Sequence, residues 1–272
     1  MKKYGILAYP AKHSLSPVMF DAAFKEAGID AQYGVFEIPD LELPAFIENM
    51  KHEPINGLSV SLPYKEAVMD YLDEIDEGAR EIGAVNTVLN KGGFLHGYNT
   101  DYLGSARALK EACGSLKGKK IIVMGSGGAV RGIVYGLLKK GAEVKIYNRT
   151  TSKAEKIAKD FDIEFGDLET MRSMSGDIFI QASSVWLSNP EMSAEEADTL
   201  FPDEFIKQFE YVMDIVYKPL KTPLLVKAER LESKIVTGEK MLLYQAIEQF
   251  KIWTGEEAPA EIMRKALERV IG

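Results

Sequence analysis

Cysteine occurs once in the 272 residues, at Cys113, so neither an intrachain disulfide nor a cysteine-based metal site can form. Histidine is nearly as scarce. His13, His52 and His96 have no metal-ligand spacing, and no metal is expected. No apolar run approaches a membrane span, and no signal-peptide core follows the Met-Lys-Lys start. Positive charge is in deficit: 33 Lys and Arg against 41 Asp and Glu leave a net charge of −8. That balance argues against a nucleic-acid or anionic-membrane surface. The chain shows no internal repeat and no low-complexity tract. What remains is 46% hydrophobic and 27% charged, a composition that folds. The length allows one or two domains with ample core. A cytoplasmic protein with a small-molecule partner is expected.

Residues 119–150 read KKIIVMGSGGAVRGIVYGLLKKGAEVKIYNRT. The β-branched run Ile121 to Met124 predicts a buried parallel strand. It breaks at Gly125-Ser126-Gly127-Gly128 and becomes helical through Val134, Leu137 and Leu138. A second strand, Val144 to Tyr147, ends in Asn148-Arg149-Thr150. Strand, glycine turn, helix, strand is a dinucleotide-binding unit. Its glycines let backbone approach a pyrophosphate, and the helix N-terminus offers free N–H groups. An acid after the second strand would take a ribose 2′-OH. Arg149 and Thr150 stand there instead, with Lys153 behind, which suits a 2′-phosphate and therefore NADP. Val130 occupies the third glycine position, so the strict G-x-G-x-x-G pattern is broken. Taken alone, Arg149 would be an ordinary solvated charge at a strand end.

The segment before this unit also reads as α/β. Strands are expected at Tyr4–Tyr9, Gln32–Glu37, Gly57–Ser61, Ala84–Leu89 and Phe94–Tyr98, the last two joined by a turn at Asn90-Lys91-Gly92-Gly93. Helices are expected at Pro17–Ala27, Leu41–Met50, Pro63–Leu72, Asp76–Ile82 and Asp101–Cys113. Farther on, Ile178–Ala182 and Tyr211–Val216 read as strands, and Met241–Thr254 and Pro259–Val270 as helices. The segments 191–198 and 203–210 read as solvated surface.

Polar residues cluster at the ends of these elements. Ser16 before Pro17 reads as a helix N-cap, and with Ser14 it places two hydroxyls where a carboxylate could bind. Ser59, Ser61 and Lys65 alternate and can line one face, although Lys65 alone would be an ordinary surface lysine. Asn86 sits beside a strand. Thr100 and Asp101 stand between a strand and a helix, where either could simply cap.

The ordered set HSLSP, SVSLPYK, GAVNT, YNTDYLG, GSGGAVRG and NRT resembles the shikimate dehydrogenase family. So do Asp214 to Pro219 with Thr222-Pro223-Leu224, and Met241 to Ala246. The resemblance runs from Tyr4 to Trp253. It implies an α/β protein of two domains with a cleft between: an α/β substrate domain, 1–101 plus 238–272, and a Rossmann-like NADP domain, 102–237. It implies NADP-dependent, reversible reduction of 3-dehydroshikimate to shikimate, with catalysis in the cleft and a monomer or homodimer as the assembly. Ser14 and Ser16 would hold the substrate carboxylate. Ser61, Asn86, Asp101 and Gln245 would bond the ring hydroxyls, with Tyr217 close by. Lys65 and Asp101 would form the acid/base pair. Gly125, Ser126, Gly127, Gly128 and Ala129 would cradle the pyrophosphate. Asn148, Arg149, Thr150 and Lys153 would face the adenosine phosphate, and Ile215 and Gly238 the nicotinamide.

Several positions depart from the family pattern. Ser59 stands where Asn is usual, and Ser61 replaces Thr. Gln181 to Trp186 replaces Asn-Ala-Thr-Ser-x-Gly. Glu239 and Lys240 replace residues that are commonly Leu and Gly. These changes leave quinate, or another hydroxylated cyclohexane acid, as an alternative substrate. A non-catalytic ligand sensor on the same fold is disfavoured by the retained Lys65 and Asp101.

Overall fold

The computed structural model describes residues 1–11, 14–188 and 192–271. The chain forms two compact units, Met1–Gly104 with Leu243–Val270, and Ser105–Leu242. The changeovers fall inside helices and not in linkers.

The first unit begins β1 (Lys2–Ala8), α1 (Ser16–Glu26), β2 (Ala31–Glu37), α2 (Leu43–Met50), β3 (Ile55–Val60) and β4 (Glu74–Ile75). It continues with α3 (Glu77–Ile82), β5 (Thr87–Lys91), β6 (Phe94–Tyr98) and the start of α4 (Asp101–Cys113). Its six strands run in the order β2-β1-β3-β5-β6-β4. The β1 pairings with β2 and β3 are parallel, while β5 runs antiparallel to β3 and β6. Alternation along β1 sends Leu7 to one face and Tyr4 to the other. Leu7 joins a core with Ile47, Met50, Leu58, Val68 and Leu95. Tyr4 stacks on Phe24 and Trp253, at centroid separations of 5.0 and 5.1 Å.

Two local expectations are corrected here. The expected helix over 63–72 is a turn followed by a 3-10 segment, Ala67–Tyr71. The carbonyl of Lys65, which a helix would give to residue 69, instead accepts the Val85 N–H at 2.7 Å. A tertiary bond thus competes with the helix. The hairpin strand begins at Thr87 and runs through Lys91, so the turn narrows to Gly92-Gly93. Their φ values of 65° and 94° are the left-handed pair that a two-residue hairpin turn requires.

The second unit holds β7 (Lys120–Met124), α5 (Gly128–Lys139), β8 (Glu143–Tyr147), α6 (Thr151–Phe161), β9 (Glu164–Gly166) and α7 (Leu168–Met171). There follow β10 (Ile178–Gln181), α8 (Val185–Ser188), α9 (Ala194–Leu200), α10 (Asp203–Ile206), β11 (Tyr211–Asp214), α11 (Pro223–Arg230) and β12 (Lys234–Val236). Then α12 (Gly238–Thr254) leads back to the first unit, which α13 (Ala260–Ile271) completes through Val270. All six strands are parallel, in the order β9-β8-β7-β10-β11-β12. Strand order therefore reverses between β7 and β10, the switch point where α/β sheets bind ligands. Segment 203–210 is not the plain solvated surface expected. Phe205, Ile206 and Phe209 are buried beneath its exposed acids. Glu191 lies outside the described residues.

Candidate active site

In the first unit four segments of the chain converge on one polar cluster. Lys65 lies on the turn after β3, Asn86 just before β5, Asp101 at the start of α4, and Gln245 within α12. The Lys65 Nζ donates to Asp101 Oδ2 at 2.5 Å, with side-chain exposures of 12% and 5%. The other carboxylate oxygen, Oδ1, accepts from Asn86 Nδ2 at 3.0 Å. Asn86 Nδ2 also reaches Thr100 Oγ1 at 2.9 Å and Gln245 Oε1 at 3.3 Å. Asp101 is thus bonded to a lysine in a mostly buried setting, where charge-assisted hydrogen bonds are strongest. Its own N–H donates to Asn99 Oδ1 at 2.9 Å.

Ser14 and Ser16 form a separate local turn. The Ser16 N–H donates to Ser14 Oγ at 3.2 Å. The expected Ser16 cap is corrected: α1 starts at Ser16, its cap position is Leu15, and no side chain bonds there. Ser14 Oγ satisfies the N–H of the first helical residue, so the hydroxyl does the capping from two residues upstream. His13 lies outside the described residues. Ser61 is half-buried at the end of β3, and its N–H donates to the Leu7 carbonyl at 2.9 Å.

In the second unit, Gly125 closes β7 at φ +138°. A Cβ there would stand 2.7 Å from the carbonyl carbon and oxygen of Ala182, which follows β10, so only glycine fits at the switch point. Gly127 is the cap residue of α5 in extended conformation, and Gly128 opens the helix. Ser126 and Ala129 are half-buried beside them. A bare backbone turn before a 12-residue helix fits a dinucleotide pyrophosphate. Asn148 Nδ2 donates to the Thr150 carbonyl at 3.0 Å, shaping the turn after β8. Arg149, Thr150 and Lys153 are exposed on it. A Cβ on Gly238 would lie 2.4 Å from the Ile215 carbonyl oxygen, so these two candidate cofactor contacts are neighbours. Tyr217 follows β11 in this same unit.

The last residue of β11 is an acid that the sequence analysis named only as part of a motif and gave no role. Asp214 is fully buried. Burial pushes its carboxyl up to about 6, against hydrogen bonds that pull it down. Those come from the Val216 N–H (3.0 Å), Thr222 Oγ1 (2.8 Å), Trp186 Nε1 (2.6 Å) and Gln181 Nε2 (3.3 Å). Two of the departures from the family pattern, Gln181 and Trp186, therefore meet on one carboxylate. Cys113 is tied down locally: Sγ donates to the Leu109 carbonyl at 3.0 Å, and burial pushes the thiol up.

Among the described residues, no group of three or more His, Cys, Asp or Glu could hold a metal ion. Among them, no helix is long and apolar enough to cross a membrane.

A parallel sheet with a glycine turn at its switch point, in a chain that also holds a lysine–carboxylate pair, defines a dinucleotide-dependent dehydrogenase of α/β architecture. Three family models match: a shikimate dehydrogenase substrate-binding domain over residues 6–88, a shikimate/quinate 5-dehydrogenase domain over 107–215, and a shikimate 5'-dehydrogenase C-terminal domain over 238–268. The shikimate dehydrogenase (NADP(+)) of Pyrococcus abyssi is 42% identical, covering 99% of both chains. The crystal structure of shikimate dehydrogenase from Aquifex aeolicus superposes with a TM-score of 0.90 at 38% identity, over 98% of this chain and 97% of that one. A Thermus thermophilus shikimate 5-dehydrogenase, solved with NADP(H) and shikimate, gives 0.85 at 34% identity over 99% of both. The chain belongs to the shikimate dehydrogenase family.

Proposed function

We propose that this protein catalyses the NADP-dependent, reversible reduction of 3-dehydroshikimate to shikimate, in the cytoplasm, as a monomer or homodimer. The observation that carries the reading is the Lys65–Asp101 contact of 2.5 Å, set within the Asn86–Gln245 cluster. The first unit would bind the substrate and the second NADP. Ser14 and Ser16 take the carboxylate; Ser61, Asn86, Asp101 and Gln245, with Tyr217, take the hydroxyls. Gly125 to Ala129 would hold the pyrophosphate, Asn148, Arg149, Thr150 and Lys153 the 2′-phosphate side, and Ile215 and Gly238 the nicotinamide.

Bound NADPH supplies the hydride that reduces the ketone. Charge then builds on the ketone oxygen, which needs a proton donor within hydrogen-bond reach. The Lys65 ammonium fills that role, stabilising the oxygen and delivering its proton at Nζ. Asp101 Oδ2 aims the ammonium, while Asn86 Nδ2 holds Oδ1 so that the carboxylate cannot swing away. In the oxidative direction neutral Lys65 takes the hydroxyl proton.

The test is a spectrophotometric assay of NADPH or NADH formation, crossing shikimate and quinate with NADP and NAD. Turnover with shikimate and NADP is expected to dominate. Faster turnover with quinate would move the assignment to the alternative substrate, and no turnover with either would overturn it.

A further inference from the structure

We infer that Gln249 and Thr87 are positioning residues that lock the amide of Asn86, and through it Asp101, in the orientation proton transfer requires. The inference rests on the activity proposed above. It comes from a buried hydrogen-bond chain in the first unit whose every donor can be assigned.

Two backbone groups set the directions, because a carbonyl can only accept and an N–H can only donate. The Asn86 carbonyl accepts from the Gln249 side chain at 2.9 Å, so Nε2 is the atom facing it. Gln249 Oε1 then faces Ser59 and accepts its hydroxyl at 2.8 Å. Ser59 has only one proton, so Tyr33 must donate to Ser59 Oγ, at 2.6 Å. Gln249 Nε2 also donates to Thr87 Oγ1 at 2.9 Å. Thr87 has its own proton left for Asn86 Oδ1, at 2.7 Å. The second backbone group, the Thr100 N–H, donates to the same Oδ1 at 2.7 Å. With Oδ1 engaged twice, Nδ2 must point the other way, toward Asp101 Oδ1. Donation thus runs without a break from Tyr33 to the carboxylate that holds Lys65.

Ser59, Asn86, Thr87, Thr100, Asp101, Gln245 and Gln249 are all buried. A flipped Asn86 amide would set a carbonyl oxygen against the Asp101 carboxylate and an NH₂ against the Thr100 N–H. Buried mismatches of this kind are costly, so the network holds one state. Ser59 is what lets Gln249 keep this polarity, because its hydroxyl can receive from Tyr33 and give to Oε1.

Thr87→Val removes the hydroxyl and keeps the shape. It is expected to lower shikimate turnover about fivefold to tenfold, the scale of one coupled hydrogen bond, with the Michaelis constant for NADP unchanged. Thr87→Ser restores the hydroxyl and is expected to recover most of that loss. Gln249→Glu reverses the polarity at Thr87 and is expected to cost at least as much as Thr87→Val. The deciding measurement repeats Thr87→Val in an Asn86→Ala background, where no amide remains to orient. There it should cost less than about twofold more, because residues acting as one unit do not multiply. An equal multiplicative loss in both backgrounds overturns the inference, as does full activity of Thr87→Val. If Gln249→Glu fails to fold, as read by melting temperature, the two Thr87 variants decide. Lys65→Ala runs alongside: if it too is fully active, the proposed chemistry has failed, and if it alone is inactive, only the positioning role has.

Discussion

Lys65 reaches Asp101 from a turn that is itself pinned, since its own carbonyl accepts from Val85. In the proposed mechanism this fixed geometry preorganises the pair for proton transfer. Lys65→Ala should therefore reduce turnover by roughly 10²–10⁴-fold with a much smaller change in substrate affinity, read from steady-state kinetics. Arg149 is exposed after β8, where a 2′-phosphate would meet it. Arg149→Ala should weaken NADP roughly 10- to 100-fold and NAD hardly at all, as measured by titration. Equal losses for both cofactors would remove the residue from the phosphate site. Asp214 gives a pH signature. Its folded carboxyl titrates near 6, above the ordinary 3.8, so between those values the folded state binds more protons than the unfolded one. Stability contributed by this group is full below the unfolded value and falls as pH rises toward 6, by up to about 1.4 kcal/mol per unit. Urea unfolding of wild type and Asp214→Asn across that range should show the difference declining, then level above it. A flat difference throughout would mean that the buried acid is not titrating there.

At the scale of elements, α12 brings Gln245 and Gln249 to the polar cluster from far along the chain. The α1 cap falls to Ser14 and not to Ser16. Ser14→Ala should accordingly cost about 1 kcal/mol in urea unfolding, while Ser16→Ala costs little. The reverse order would restore Ser16 as the cap. The end of α12 is anchored by Trp253, whose Nε1 donates to the Val88 carbonyl at 3.0 Å. The indole lies over Gly57 of β3, where a Cβ would sit 2.5 Å from Nε1. Gly57→Ala should therefore destabilise the fold by about 1–3 kcal/mol, through overpacking in a region with no room to relax. Spacing offered one hint of the inner network: Gln249 follows Gln245 by one helical turn, so both share a face of α12. Thr87 offered none, because a threonine at the start of a strand is ordinary.

For the whole molecule, a ligand that binds only the folded chain raises its stability by mass action. NADP at about a hundredfold above its dissociation constant should add roughly 2.7 kcal/mol, seen as a raised melting temperature, and NAD at the same concentration less. The parallel strand, glycine turn and helix at 119–139 were determined by sequence alone, because burial on both faces and a positive φ restrict residue choice locally. The ordered polar motifs likewise carried the family, and with it Lys65 and Asp101. What only the tertiary structure decided were features set by distant partners. The 63–72 segment lost its helix to Val85, and the acidic 203–210 segment proved to bury Phe205, Ile206 and Phe209. Asp214 was raised toward 6 by burial that no local pattern announces. The Asn86 main-chain carbonyl found its donor in Gln249, 163 residues away. Periodicity records which face of an element is apolar; it does not record which donor meets which acceptor once those faces are packed.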